Sequence, residues 1–416
     1  MRIAYIVPYV PNPIRTRSYN LINQLTSLGH AVTVFTLGSS QADLREAESL
    51  KSRSHEVYYY AQPVWRSLLN SAAALPSRKP LQSVYSWQPA MAREIVRRAS
   101  RNEFDIVHVE HLRGSGFGLF LKSRLPNMPV VWDSVDCISH LFQQAAKQSR
   151  SSFGKFMTRL ELSRTRRAEG DLTCRFDHTL VTAPPDRDAL LGLVPPGKSP
   201  AQISILPNGV DLDYFHPRVE FERDPETIIF SGKMSYHANI SMAKYLVEEI
   251  MPRIWKFRPA TRLNIVGKDP APAIQKMTRN PLITVTGTVD DIRPFLWRAT
   301  VSVVPLLYGA GIQNKILEAM ATGTPVVTTR QALSALQAKP GIDLFVSDDP
   351  DGFSQAVLKL IANRELQQTT GAAGVGYVRT FHRWASVASQ LVAIYQQIVD
   401  SKIGSAVDRL PAPQMS

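Results

Sequence analysis

The sequence predicts an α/β chain of two doubly wound domains, and three observations carry that expectation. The chain has 416 residues, and single cores stop growing at roughly 250–300 residues. Short Val/Ile/Leu-rich runs alternate with helix-patterned segments along the whole chain, the pattern of parallel strands joined by crossover helices. The stretch 300–328, TVSVVPLLYGAGIQNKILEAMATGTPVVT, reads strand, glycine turn, helix, turn, strand in one pass.

In chain order, Arg2–Val7 is expected as the first strand. Arg15–Leu28 sets Leu21, Ile22, Leu25 and Leu28 on one side and is stopped by Gly29, which predicts a helix. Ala31–Leu37 is a continuous apolar run, suited to a strand buried on both faces. Ala42–Lys51 predicts a helix and His55–Tyr60 a strand. Asp105–Val109 (DIVHV), Pro129–Asp133 (PVVWD), Asp177–Thr182 and Gln202–Leu206 continue the strand series. Pro207-Asn208-Gly209 then breaks the chain, with Pro217 and Pro225 beyond, so the domain boundary is expected at 206/207. A second series follows: strand Thr227–Ser231, helix Asn239–Trp255, strands Arg262–Val266 and Leu282–Thr286, and helix Asp290–Trp297. After the 300–328 unit come strand Asp343–Val346 and helices Asp351–Ile361 and Trp384–Val399. The expected organisation is a first domain at 1–206, a second at 207–383, a C-terminal helix within 384–402 and a disordered tail at 403–416.

Within 300–328, Gly309 and Gly311 occupy the turn, and Ile312, Ile316, Leu317 and Met320 keep a helical spacing until Gly323. A glycine turn feeding a helix N-terminus presents unpaired N–H groups and the positive end of the macrodipole, so the stretch is a candidate phosphate site. The same features also suit an ordinary βαβ unit.

The net charge of +13 is uneven: residues 1–205 hold 26 Lys and Arg against 16 Asp and Glu, and the remainder 22 against 19. Nucleic acid, an anionic membrane face or an acidic acceptor would each suit the basic half. No stretch interleaves aromatics with basic residues as nucleic-acid modules do, so nucleic acid is not an expected partner. Residues 140–170 are helix-compatible and carry Lys147, Arg150, Lys155, Arg159, Arg164, Arg166 and Arg167 beside Phe153, Phe156, Met157, Leu160 and Leu162. That composition fits a membrane-surface helix or a core-packed helix with a solvated basic face. Two cysteines, Cys137 and Cys174, form no disulfide framework, which suits a reducing cytoplasm. No apolar run approaches the ~18–20 residues of a membrane span. The N-terminus MRIAYIVPYVPNP is expected as a strand and not a signal peptide.

PNGVDLDYF at 207–215, the strand end Ile265–Gly267, Val285–Gly287 and Gly311–Val327 together resemble glycosyltransferase family 4, of the GT-B fold. LINQLTSLGHAVTVFT and DIVHVEH extend the resemblance, more weakly, into the first half, so that it covers about residues 1–400. A looser likeness is to exopolysaccharide-associated sugar transferases. The resemblance implies two Rossmann-like domains facing a cleft, with a nucleoside-diphosphate sugar on the second and the acceptor on the first. It also implies chemistry without a bound metal or other cofactor, retention of anomeric configuration, and a last helix crossing back to the first domain.

It further implies roles for residues. Glu318 matches the second carboxylate of the family signature, which bonds the donor ribose; its plain alternative is a helix salt bridge to Lys315. The first carboxylate belongs eight positions earlier, where this sequence has Ala310. Lys315, with the N–H groups of Gly311, Ile312 and Gln313, is expected to neutralise the leaving diphosphate. Gly232 and Lys233 match a glycine and a cation at the phosphates, while the second cation of that pair is replaced by Ala238 beside His237. On the first domain, His108, Glu110 and His111 are candidates for a catalytic base. Asp133 and Asp136 are expected to bind acceptor hydroxyls or to cap the following helix. Arg15 and Arg17 stand in a glycine-free loop where relatives have a glycine-rich one, and are expected to meet an anion or solvent.

The expectation is a cytoplasmic hexosyltransferase of polysaccharide or cell-envelope glycan synthesis. Its expected partners are a nucleotide sugar and a glycan or lipid-linked acceptor, with peripheral contact at the anionic inner membrane face. A nucleotide-sugar epimerase and a non-catalytic nucleotide- or glycan-binding protein of the same fold are the alternatives.

Overall fold

The computed structural model describes residues 1–148, 152–218, 220–309 and 311–407, with side chains described outside 145–159 and 403–407. The chain divides into two compact units, Met1–Pro207 together with the helix that begins at Trp384, and Asn208–Arg383.

The first unit is built on seven parallel strands: β1 (Arg2–Val7), β2 (Ala31–Gly38), β3 (Glu56–Ala61), β4 (Ile106–Glu110), β5 (Val130–Val135), β6 (His178–Val181) and β7 (Ile203–Ile205). Their order is β3-β2-β1-β4-β5-β6-β7, with β1 on β2 in register from Arg2↔Ala31 to Val7↔Thr36. Successive side chains of a strand point to opposite faces, and each face here finds its own apolar layer. Ala4 and Ile6 pack with Phe35, Val107, Val109, Phe117 and Trp132. Ile3, Tyr5 and Val7 pack on the other side with Leu21, Ile22 and Leu25 of the helix Thr16–Ser27. Trp384, Val387, Leu391 and Tyr395 of the helix Trp384–Val407 complete that second layer. Full burial of each such side chain contributes roughly 1.5–3 kcal/mol, which ties the last helix to this unit.

The second unit repeats the plan with β8 (Thr227–Ser231), β9 (Arg262–Val266), β10 (Ile283–Val285), β11 (Val301–Val304), β12 (Val326–Thr328) and β13 (Phe345–Val346). The order is β10-β9-β8-β11-β12-β13, parallel at every pairing. In both units the first strand lies between the second and the fourth. There the crossovers leave in opposite directions, and the crevice beyond the carboxyl ends of the strands is where such sheets bind ligands.

Several elements differ from the sequence reading. The expected helix Asn239–Trp255 is three pieces: an α-helix His237–Tyr245, a π turn Leu246–Ile250 and an α-helix Met251–Phe257. Pro252 in the first turn of the last piece has no N–H to continue the ladder, which accounts for the irregularity. Helices Val64–Ala74, Pro89–Ala99, His111–Arg124 and Arg364–Phe381 were not expected. The last holds Gly371, Gly374 and Gly376, residues that weaken a helical signal. Gly371 is needed for packing, because a Cβ there would lie 2.2 Å from the carbonyl oxygen of Gly323.

The final helix runs to Val407, past its expected end, and 408–416 of the expected tail lie outside the described residues. The basic stretch 140–170 contributes to helices Ile138–Gln148 and Ser152–Leu172. The side chains of Lys147, Arg150, Phe153, Lys155, Phe156, Met157 and Arg159 lie outside those described. No helix among the described residues is long and apolar enough to cross a membrane.

Candidate functional site

At the switch point of the second unit, β8 ends in Ser231 and hands over to Gly232, while β11 ends at Val304 and leads through Gly309 and Gly311 to the helix Asn314–Ala321. Gly232, Gly309 and Gly311 all have positive φ (146°, 153° and 69°), which L side chains adopt at a cost. Gly232 is also hemmed in: a Cβ there would meet Asn239 Nδ2 at 2.8 Å and Lys315 Nζ at 3.0 Å. Gly267, at the end of the neighbouring β9, has φ 147°, and a Cβ there would lie 1.7 Å from the Gly232 carbonyl oxygen. The two glycines let the backbone ends of β8 and β9 close on each other and bring Lys315 against bare main chain.

Lys315 stands in the first turn of its helix and is only 9% exposed. Its Nζ donates to Asn239 Oδ1 at 2.6 Å and lies 4.7 Å from the centre of the Phe230 ring. Asn239 is fixed in turn, its Nδ2 donating to the Lys233 carbonyl at 2.8 Å. Burial pushes the Lys315 ammonium down to about 7, against the opposing pull of Glu318. Burial likewise raises the Glu318 carboxyl, with Lys315 pulling it back down. Glu318 follows Lys315 by three residues on the half-buried side of the helix. The helix N-cap, Gln313, makes no side-chain capping bond, so the first turn offers N–H groups for an anion.

The surrounding loop is braced. His237 Nδ1 bonds Tyr308 Oη at 2.8 Å and the two rings stack, and Gln331 Nε2 donates to the Gly309 carbonyl at 2.8 Å. Asn208 Nδ2 donates to Asn314 Oδ1 at 3.2 Å, and the Asn208 carbonyl is held by His382 Nδ1 at 2.7 Å. The PNG turn thus positions the start of the site helix. Gly311, Ile312 and Gln313 lie in the turn as expected from their place in the sequence, and position 310 lies outside the described residues. Lys233 is exposed, its Nζ 4.0 Å from Asp269 Oδ2. Asn239 and Gly267 are the residues that sequence reasoning passed over. The signal for Gly267 was a glycine closing a strand, whereas nothing local marks Asn239.

The switch point of the first unit holds a buried polar cluster. Glu110, His108 and Asp133 are fully buried. Tyr5 Oη donates to Glu110 Oε2 at 2.8 Å, and Tyr9 Oη donates to Oε1. Burial, and then the neighbouring Asp133, raise the Glu110 carboxyl above its ordinary value. His108 stacks on Tyr5 with ring centroids 4.3 Å apart, its Nδ1 bonds Tyr395 Oη of the last helix at 2.7 Å, and its Nε2 lies 3.5 Å from Asp133 Oδ2. Arg17 Nε donates to Asp133 Oδ2 at 2.8 Å. Burial alone would raise Asp133, but the charge of Arg17, with the bonds from His108 and Arg17, holds it down at about 2.

Several expectations change here. Arg17 is only 5% exposed and engaged with Asp133, so it does not offer loose charge at the helix start. Arg15 is exposed over the Tyr9 ring, its Nη1 donating to the Val10 carbonyl at 2.9 Å. Asp136 does not cap the following helix. Glu169 does that, accepting from Ile138 N at 2.7 Å and Ser139 N at 3.1 Å. Asp136 accepts instead from Thr182 Oγ1 at 3.1 Å, and burial beside Asp186 pushes its carboxyl up to about 7.

Backbone strain gathers at the same place. His111, directly after β4, has φ 65°, and Val135, ending β5, has φ 67°. A branched residue in that region is an outlier that surrounding structure must enforce. Here β5 shifts register against β6 between Asp133 and Val135, and Asp133 Oδ1 accepts from Val135 N at 3.1 Å. His111 Nδ1 accepts from Arg113 N at 3.3 Å, which leaves the ring proton on Nε2. Burial, and then Arg113, push the imidazole down to about 4, so it is neutral at pH 7.

Residues 14–214 match the family described as Glycosyltransferase Family 4, and residues 225–363 match Glycosyl transferases group 1. The chain belongs to glycosyltransferase family 4. It is 27% identical over 208 residues to the MMP alpha-(1->4)-mannosyltransferase of Mycolicibacterium hassiacum, across 48% of this chain and 50% of that one. It is 26% identical over 205 residues to the phosphatidyl-myo-inositol mannosyltransferase of Mycobacterium leprae, across 47% and 54%. The chain therefore spans about half the length of the curated relatives it matches. Among solved structures it is similar to sucrose-phosphate synthase from Thermosynechococcus elongatus, with a TM-score of 0.67 at 17% identity over 96% of this chain and 100% of that one. It is also similar to Anabaena HepE in complex with UDP and glucose, with a TM-score of 0.65 at 13% identity over 95% and 100%. At such identities the likeness establishes the fold, a two-domain GT-B architecture.

Proposed function

We propose that the protein transfers a sugar from a nucleoside diphosphate to a hydroxyl of a glycan or lipid-linked acceptor, in polysaccharide or cell-envelope glycan synthesis. The observation that carries this reading is Lys315: a buried ammonium held by Asn239 against the bare backbone of Gly232, at the mouth of a glycine turn. An ammonium depressed by burial favours an arriving anion that restores its charge. In this reading the diphosphate meets Lys315 and the N–H groups of Gly311, Ile312 and Gln313, with Lys233 reaching it from the exposed side. Glu318 accepts from the ribose hydroxyls. Preorganised donors at a leaving group contribute several kcal/mol to a rate.

In the first unit, His111 is the group proposed to touch substrate, with Nε2–H donating to a sugar or acceptor oxygen. Glu110 and His108 hold the strand end rigid through Tyr5, Tyr9 and Tyr395, and Arg17 fixes Asp133. Asp136 and Arg15 remain acceptor-side groups in this proposal. Retention of configuration, chemistry without a bound metal, and a cytoplasmic protein that visits the inner membrane face belong to the same proposal. They rest on the family resemblance and the basic first unit.

The test is incubation with UDP- and GDP-sugars, with and without polyprenyl-phosphate-linked and free glycan acceptors, followed by mass spectrometry. Nucleoside diphosphate release that requires acceptor, matched by a sugar-extended acceptor, is expected. Conversion of the nucleotide sugar to an epimer without acceptor, or nucleotide binding with no transfer to any acceptor, would replace this reading.

A further inference from the structure

The helix Val64–Ala74 carries an unpartnered apolar face. Val64, Trp65, Leu68 and Leu69, with Leu75 just beyond the helix end, are each about half exposed or more, from 49% to 62%. Few large apolar side chains are this exposed elsewhere among the described residues, and those are scattered. At 100° per residue these positions, together with the exposed Ala72, fall on one continuous arc of the helix. The opposite side buries Ser67 and Ala74 against the unit. The helix is anchored from behind, Arg164 Nη2 donating to the Leu75 carbonyl at 2.6 Å. A solvated monomer gains nothing from such a row, and contiguous exposed apolar surface marks an interaction site.

Charge says what covers it. Arg78 and Lys79, both exposed, follow the helix directly. Behind the helix opens a cavity of about 1220 Å³ whose walls include Val84, Trp87, Leu119 and Phe120. Arg78, Lys79, Arg167, Arg175 and Lys198 also line it, with Asp171 as the one carboxylate among the lining residues. An apolar row, an apolar recess and a cationic rim on one face match an acyl layer beneath anionic headgroups. A protein partner would need no such recess.

We infer that the helix Val64–Ala74 is a bilayer-docking element, lying in the headgroup plane with Trp65, Leu68 and Leu69 among the acyl chains and Arg78 and Lys79 on anionic lipid. This rests on the membrane part of the reading above. It also moves the contact from the basic stretch 140–170, where the sequence had placed it, to a helix with no basic run of its own.

The test is co-sedimentation with vesicles of phosphatidylcholine alone and of phosphatidylcholine mixed with phosphatidylglycerol, at low and high salt. Wild type should bind the mixed vesicles more tightly, and less so at high salt. Leu68→Ser/Leu69→Ser should weaken binding by about tenfold or more on both vesicles. Arg78→Gln and Lys79→Gln should each weaken it about fivefold on the anionic vesicles only. Leu68→Met/Leu69→Met should restore wild-type binding, which separates lost insertion from lost folding.

Wild type failing to bind, or the serine variant binding as wild type does, would overturn the inference. So would a wild-type dimer in sedimentation velocity that the serine variant abolishes, since that would assign the face to a second copy. Nucleotide-dependent stabilisation should persist in every variant. A protein that transfers sugar but ignores vesicles would sink this inference alone, and one that binds vesicles but no nucleotide sugar would sink only the functional reading.

Discussion

Lys315 is the residue on which the account turns, because its environment makes its charge conditional. With the ammonium depressed to about 7 by burial, the side chain is largely neutral at pH 8, and a diphosphate should draw a proton onto it. Titration of a nucleoside diphosphate at pH 8, in two buffers of different ionisation enthalpy, should show uptake approaching one proton; uptake near zero would mean that the anion does not meet Lys315. Lys315→Ala should lower kcat on the nucleotide sugar by roughly 10²–10³-fold, the usual effect of losing one preorganised donor. Unchanged turnover would remove the residue from the site.

Asp133 supplies a second residue-scale prediction. Its folded value of about 2 lies below the ~3.9 of an unfolded aspartate. The native state therefore holds the proton less tightly. The stabilisation is whole above about pH 4 and is lost as pH falls toward 2, an effect on the order of 2 kcal/mol. Urea midpoints from pH 6 to pH 3 should fall more steeply for wild type than for Asp133→Asn, and parallel curves would count against the Arg17–Asp133 pair.

At the scale of elements, the strand ends at the two switch points are opposites. The second unit uses glycines where the chain turns, and the first forces His111 and Val135 into the same backbone region. Gly267→Ala should destabilise the second unit by roughly 3 kcal/mol or more, since the new Cβ meets the Gly232 carbonyl and φ is 147°. That corresponds to a melting transition lower by roughly 6–12 °C, and a change under 2 °C or so would show that β8 and β9 do not close in this way. The buried parallel strands were legible in the sequence because burial on both faces writes unbroken valine and isoleucine runs. Thr227–Ser231 and Arg262–Val266 match to the residue. The helix Arg364–Phe381 was illegible because its glycines serve a close approach to Gly323 that no local pattern announces. Val64–Ala74 escaped for the converse reason: its apolar face points outward, and periodicity cannot say which way a face points. In the sites, Lys315 and Glu318 were legible from spacing around a glycine turn. The Tyr5, Tyr9 and Tyr395 contacts were not, since they join positions more than a hundred residues apart.

At the scale of the whole molecule, two sheets of the same strand order each place polar groups beyond the carboxyl ends of their strands, and only the second combines a glycine turn, a free helix start and a buried cation. That asymmetry assigns the nucleotide to the second unit and leaves the first, strained and more basic, to the acceptor. The claim is tested most directly by thermal unfolding of wild type, Lys315→Ala and Glu318→Gln against a panel of UDP, GDP and their sugars. At about a hundred times the dissociation constant a ligand adds roughly 2.7 kcal/mol. Wild type should show a rise of that size with one nucleotide family, and both variants should lose most of it. An equal rise in all three proteins, or none in wild type at millimolar ligand, would contradict the placement of the nucleotide at Lys315 and Glu318.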